Sequence, residues 1–321
     1  MNSFPMLIRR EFWEHRSLWI APLIWVGIIV VMVLWGVFVS LSHEEASRVL
    51  DAQTVEEIRD MSEADREKMR HAIALPEAGK QTAFAFSYLA IAWFISGFVS
   101  IVVFFYLIDC LYQERRDRSI LFWKSMPVSD TQVVLSKLAV ALGVVPIGVL
   151  LLAAVTQLFL FIVLWLRFHG TVIGEIMPDW SFVSWFRAQL IALGVMAGGV
   201  MWYAPIAGYL LLVSVWARRN VFLWAVLPPV SLIALEGFFF QGTHVVEFIG
   251  RRFSGYITEM NLDSNSFKDQ VDHEQMPSID DVFSALDLSG MFTSAEAWAG
   301  IAATAAMIFV TIRIRRFRDD S

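Results

Sequence analysis

Leu18-Trp-Ile-Ala-Pro-Leu-Ile-Trp-Val-Gly-Ile-Ile-Val-Val-Met-Val-Leu-Trp-Gly-Val-Phe-Val-Ser-Leu41 runs for 24 residues without a charged side chain. As an α-helix it spans about 36 Å, enough for the roughly 30 Å hydrocarbon core of a bilayer. Inside lipid a helix satisfies its own backbone hydrogen bonds, so a run of this kind is read as a membrane span. Five more follow, at about Ala83 to Ile108, Leu138 to Leu166, Leu190 to Trp216, Val221 to Phe240 and Ala295 to Ile312. The third is longer than a bilayer requires and is expected to tilt or kink, with Pro146 as the kink site. The fifth begins after the short turn Ala217-Arg218-Arg219-Asn220, and its Pro228-Pro229 pair is expected to bend or break it. The sixth is the weakest: short, rich in alanine, with Glu296 near its start. The expected fold class is all-α, a polytopic integral membrane protein with six transmembrane helices.

Composition agrees. Of 321 residues, 57% are hydrophobic and 17% charged, against about a quarter charged in a soluble domain. Orientation follows from the charges between the runs. Segments 1–17, 109–137, 217–220 and 313–321 hold 14 Lys/Arg and 8 Asp/Glu, whereas 42–82, 167–187 and 242–294 hold 11 and 21. Arg9, Arg10, Arg16, Arg115, Arg116, Arg118, Arg218, Arg219 and the Arg313–Arg318 cluster all fall on one side. By the positive-inside rule that side is cytoplasmic, with both termini in it, and an even number of spans satisfies every boundary. The basic groups read as juxtamembrane orienting clusters rather than as a nucleic-acid surface. The single cysteine, Cys110, allows no intrachain disulfide. Arg9-Arg10 is not read as an export signal, because the following run is too long for a signal peptide and carries no small-residue cleavage site.

Residues 1–17 form the first unit. Phe4, Leu7, Ile8 and Phe12 recur near helical spacing with charges between them, so an interfacial helix held by Trp13 and the arginines is expected; the alternative is a loose basic tail. Residues 18–321 form the transmembrane domain, with two extracytoplasmic insertions at 42–82 and 242–294. In the first, Thr54-Val-Glu-Glu57 and Ser62-Glu-Ala-Asp65 match helix-capping patterns and predict two solvated helices. The second opens amphipathically from Val245 to Ile257, consistent with a helix dipping into the outer leaflet. It then turns acidic through Asp263 to Asp281, where Ser278-Ile-Asp-Asp281 offers another helix start. Either insertion could shape an exit path or serve as a structural cover.

The loop at 109–131 carries more than topology needs. Its core is Glu114-Arg-Arg-Asp-Arg-Ser-Ile-Leu-Phe-Trp-Lys-Ser-Met-Pro-Val-Ser-Asp130. A compact apolar group, Ile120 to Trp123, sits between charges of both signs and ahead of a proline turn, with Ser129 or Asp130 placed to cap the next helix. Such a segment either docks into a partner's groove or lies on the membrane.

This run, leading to Ser136-Lys137, resembles the corresponding loop of ABC transporter permeases of the type-2 export class. That family's pattern is a Glu-Arg pair, a few residues, then Leu/Met-Pro-Val-Ser and a Lys opening the third span. The resemblance covers the whole chain in architecture and residues 113–137 in motif; the long insertion after the first span departs from the shortest members. It implies that 114–130 is a coupling helix seated in a separate cytoplasmic ATPase. Glu114, Arg115 and Arg118 would make charged contacts there, Leu121, Phe122 and Trp123 would fill the groove, and Pro127, in the turn, would also contact the ATPase. It also implies a second permease copy, identical or related, and an amphipathic or lipid-like cargo exported across the cytoplasmic membrane. The chain has no Gly-x-x-x-x-Gly-Lys-Ser/Thr phosphate loop, so ATP and Mg would belong to the ATPase and this chain would bind no cofactor and not be an enzyme. The alternative is a non-transporting scaffold or sensor subunit of a membrane complex.

Elsewhere, Glu236 at the outer end of the fifth span is a candidate for a gate or substrate path, together with Pro228 and Pro229. Asp109 is expected to face interfacial water or pair with nearby arginines. The six histidines show no metal-ligand spacing, and no Ser/His/Asp set can be assembled.

Overall fold

The computed structural model describes residues 3–38, 77–117, 128–169, 177, 181–260 and 288–317. Among them every regular element is helical. These are α1 (Ser3–Glu14), α2 (Ser17–Phe38), α3 (Glu77–Arg116) and α4 (Asp130–Ala139), the last running through a π turn (Val140–Val144) into α5 (Val145–Phe168). Then come α6 (Phe182–Trp216), α7 (Val221–Phe239), α8 (His244–Glu259), α9 (Leu288–Thr293) and α10 (Ala295–Phe317). Six helical runs are long and apolar enough to cross a membrane: α2, α3, α4 through α5, α6, α7 and α10. The chain is thus built as a multi-pass membrane protein, and all six expected runs are present.

The helices outrun the hydropathy that marks them. α3 begins at Glu77, inside the expected insertion 42–82, and ends at Arg116, absorbing the first part of the expected loop 109–131. Its 40 residues extend about 60 Å, far beyond a bilayer. α6 likewise starts at Phe182 rather than Leu190, and α10 continues through Arg313 to Phe317, which lengthens the softest expected span to 23 residues. Hydropathy reports where a helix leaves the apolar phase. A helix stops where its backbone meets a cap or an incompatible conformation, and Glu, Gln and Arg continue one readily in water.

Caps and prolines explain the local breaks. α4 starts at a capping box: Ser129 Oγ accepts from Gln132 N–H at 3.2 Å, and Gln132 Oε1 accepts from Ser129 N–H at 3.3 Å. This leaves Asp130 free for another task. The expected distortion near Pro146 takes the form of the π turn, closed by Val145 N–H to the Val140 carbonyl. Widening the turn just before the ring lets a residue without an N–H sit in a continuing helix. Between α6 and α7 the chain reverses through Asn220 at φ 51°, a left-handed conformation that asparagine tolerates better than most residues.

Pro228 and Pro229 do not break α7. Each lacks the N–H that would bond the carbonyl four residues earlier, which orphans Trp224 and Ala225. Tyr209 of α6 supplies the missing donor: its hydroxyl lies 3.1 Å from the Trp224 carbonyl and 3.2 Å from that of Ala225. The proline pair is therefore tied to the neighbouring span.

The largest apolar cluster among the described residues is shared by α2, α3, the α4–α5 run, α6, α7 and α10, with two smaller ones beside it. α6 and α10 approach closely because the contact is small. A Cβ on Gly208 would lie 3.3 Å from Thr304 Cγ2, and one on Gly300 would lie 3.1 Å from Pro205 Cγ. In lipid, where apolar burial drives little helix association, such small-residue seams provide van der Waals packing.

Candidate functional site

The charged side chains that hydropathy leaves at one end of the bundle converge into a buried ion network. Lys137 of α4 is fully buried; its Nζ lies 2.8 Å from Glu11 of α1 and 3.0 Å from Glu114 of α3. Glu114 also pairs with Arg315 of α10 at 2.6 Å, and Arg315 reaches Asp130 at the start of α4 at 3.0 Å. The Tyr106 hydroxyl donates to Glu11 at 3.0 Å. Arg10 bonds Glu14 at 2.7 Å and stands 3.8 Å from Glu114. Cations and carboxylates alternate around Lys137, so each buried charge has an opposite neighbour. A buried ammonium without such partners would be strongly penalised by desolvation.

His15, between α1 and α2, packs edge-on against Tyr106 with ring centroids 4.8 Å apart. Burial lowers its pKa below the ordinary 6.5, outweighing the nearby Glu11. It is therefore a neutral imidazole at pH 7, and its 3.8 Å approach to Glu11 is not a charged pair.

The network brackets residues 118–127. Glu114 precedes that segment and Asp130 follows it, and Arg315 holds both, through Nη1 and Nε respectively. One guanidinium fork thus joins the two helix ends from which the segment leaves. Arg115 points elsewhere: its Nη2 donates to the carbonyls of Ser214 and Ala217 at 2.7 Å each, closing the C-terminus of α6. On the same seam Ser214 Oγ accepts from the backbone N–H groups of Leu111 and Tyr112, both at 3.1 Å.

The structure places the expected site residues as follows. Glu114 and Arg115 lie on the last turn of α3, not on a loop. Glu114 is buried against Lys137 and Arg315, and Arg115 Nη2 is engaged with the end of α6. Arg118, Leu121, Phe122, Trp123 and Pro127 lie outside the described residues, as do the patterns at 54–57, 62–65 and 278–281. Asp109 is exposed, as its place at the end of the apolar run suggests. Among the described residues no group of three His, Cys, Asp or Glu side chains is placed to hold a metal ion.

Glu236 has a defined structural task at the other end of the bundle. Its Oε1 accepts from the His244 backbone N–H at 2.9 Å and its Oε2 from that of Val245 at 2.7 Å. The carboxylate therefore caps the first turn of α8, where free N–H groups and the helix dipole favour an anion. α8 is the expected amphipathic segment, and it rests on the bundle. Tyr256 and Met260 pack with Trp202 and Ala297, and Arg252 is buried with its Nη1 donating to the Glu296 carbonyl at 3.2 Å. Nearby polar contacts join spans directly: Gln157 donates to the Tyr88 carbonyl at 2.9 Å and accepts from Gln189 at 2.7 Å.

The sequence assigns no role to Glu11, places Arg315 in an orienting cluster and makes Lys137 a motif residue. The available signal was that Lys137 and Arg315 stand within a turn of an apolar run's end, with Glu11 and Glu114 about two turns from theirs, positions where an unpaired charge is expensive. Comparison with protein-family models, with curated proteins and with solved structures finds no match for the chain.

Proposed function

We propose that the chain is the permease subunit of an ATP-driven exporter similar to the type-2 ABC class. It works with a separate cytoplasmic ATPase, which holds the ATP and Mg, and with a second permease copy. Its cargo is amphipathic or lipid-like and leaves the cytoplasmic membrane outward, with both termini of the chain cytoplasmic and α1 lying at the inner interface. The observation that carries this reading is the segment 118–127, with its Leu121-Phe122-Trp123 group, leaving from two helix ends that Arg315 holds together. A lever must be stiff at its base to transmit force. Closure of the ATPase would push on this segment, and the ion network would pass the displacement to α1, α3, α4 and α10 as a body. On α7 only Val221 and Ala225 are buried, and the apolar surface left exposed supports contact with lipid or with a second copy.

The test is co-purification with a cytoplasmic ABC ATPase from the same genome, using Phe122→Ala/Trp123→Ala. The expected result is loss of the assembly, and of its ATP hydrolysis above that of the ATPase alone, while the variant itself stays folded and membrane-inserted. An assembly and hydrolysis rate unchanged by the substitutions overturn the reading.

A further inference from the structure

The N-terminal helix has two working faces. Leu7 and Glu11 are buried, Glu11 against Lys137 of α4. Pro5, Ile8, Arg9 and Phe12, at i, i+3, i+4 and i+7, form a second stripe on the other side. With Trp19 of α2 and Val144 of the π turn this stripe lines an open groove of about 560 Å³, within the range of roughly 300–1,000 Å³ typical of small-molecule sites. The walls are apolar except for Arg9. That guanidinium is exposed and makes no ion pair among the described residues.

The surroundings say what fits. Leu23, one turn beyond Trp19 on α2, is exposed, as are Ile24 and Ile28, so the groove opens onto the apolar surface of a membrane-spanning helix. Trp13, also at the groove, and Trp19 are partly exposed beside the arginine, the arrangement of side chains that sit at headgroup level. A water-filled groove would leave these walls wetted, and an uncharged chain alone would leave Arg9 without a counter-charge. We propose that the groove binds an anionic phospholipid, with an acyl chain along Ile8, Phe12 and Trp19 and the phosphate at Arg9. The matching charge is not supplied by the network, whose carboxylates are engaged with Lys137, Arg315 and Arg10. The inference does not rest on transport, since it needs only that these helices lie in a bilayer.

The experiment titrates the detergent-purified full chain with phosphatidylglycerol brominated on its acyl chains and reads tryptophan quenching. A saturable component of the quenching is expected, lost in Trp13→Phe/Trp19→Phe, over the non-saturating response of other exposed tryptophans such as Trp35, Trp93 and Trp298 to annular lipid. Arg9→Glu should weaken phosphatidylglycerol binding at least about fivefold and leave brominated phosphatidylcholine unchanged. Arg9→Gln, which adds no repulsion, serves if the reversal disturbs folding, as judged by gel filtration and thermal midpoint. Excess glycerol phosphate should not compete. Equal quenching by both lipids with no effect of Arg9 would mean ordinary annular lipid. Competition by glycerol phosphate would mean a free-phosphate site, and a saturable component that survives the double tryptophan variant would place the contact elsewhere. Each of these three overturns the proposal.

Discussion

At the charged end of the bundle α1, α3, α4 and α10 meet on buried ion pairs around Lys137, whereas at the opposite end α8 is held by a helix cap, a glycine and an aromatic wall. Both arrangements tie helices together, but they fail differently. Removing one member of a buried ion pair leaves its partner charged and dry, which is worse than the loss of one attraction. At the α8 end Glu236 caps backbone groups, and Gly255 admits the Trp202 indole: a Cβ there would lie 2.7 Å from Nε1. Fit matters most here, and a defect stays local. The end next to residues 118–127 is thus welded, and the end carrying α8 is packed.

The largest effect should come from breaking the weld. Lys137→Met is expected to cost about 3–5 kcal/mol, read as a lower thermal midpoint of the detergent-purified chain. Adding Glu11→Gln should recover at least part of that loss, because the charge left unpaired is then gone. A double variant no more stable than Lys137→Met would mean that Lys137 acts by volume rather than by charge.

Gly255→Ala attacks the packed end. The indole is fully buried and cannot swing aside, so overpacking of about 1–3 kcal/mol is expected. Hydrogen exchange should rise along α8 while the last turn of α3 and the first of α4 stay protected. Loosening at both ends would show that the two are one cooperative unit and would dissolve the contrast.

Tyr209→Phe is the mildest and sharpest probe. It removes one hydroxyl that serves two proline-orphaned carbonyls, at a partly exposed site, for an expected cost of about 1 kcal/mol. The midpoint should fall slightly, with faster exchange confined to α7. No change would indicate that those carbonyls find other donors when Tyr209 is gone.

The six spans were legible because about twenty apolar residues in a row have few other uses, and the side on which the arginines gather was legible from counting. Pro146 marked the place of a distortion, since a missing N–H is a property of the residue itself; that the distortion is a π turn was not written locally. Helix ends were misplaced at Ile108, Leu190 and Ile312, because polar residues that leave the membrane still continue a helix. The pairing of Lys137 with Glu11 crosses 126 positions of chain, and that of Arg315 with Glu114 crosses 201. No periodicity reaches so far.

Pro228-Pro229 shows the division most clearly. From the sequence the pair reads as a bend or break in a span, and the chemistry behind that reading is sound: two carbonyls do lose their donors. Whether the loss becomes a break depends on what stands alongside, and Tyr209, on another helix, turns it into a tie. The same holds for Glu114 and Arg315. Their charge and their nearness to an apolar phase follow from the order of residues, and with them the need for partners. Which partners they take is a matter of how six helices assemble, because a buried charge is satisfied by whatever opposite charge the packing brings within 3 Å.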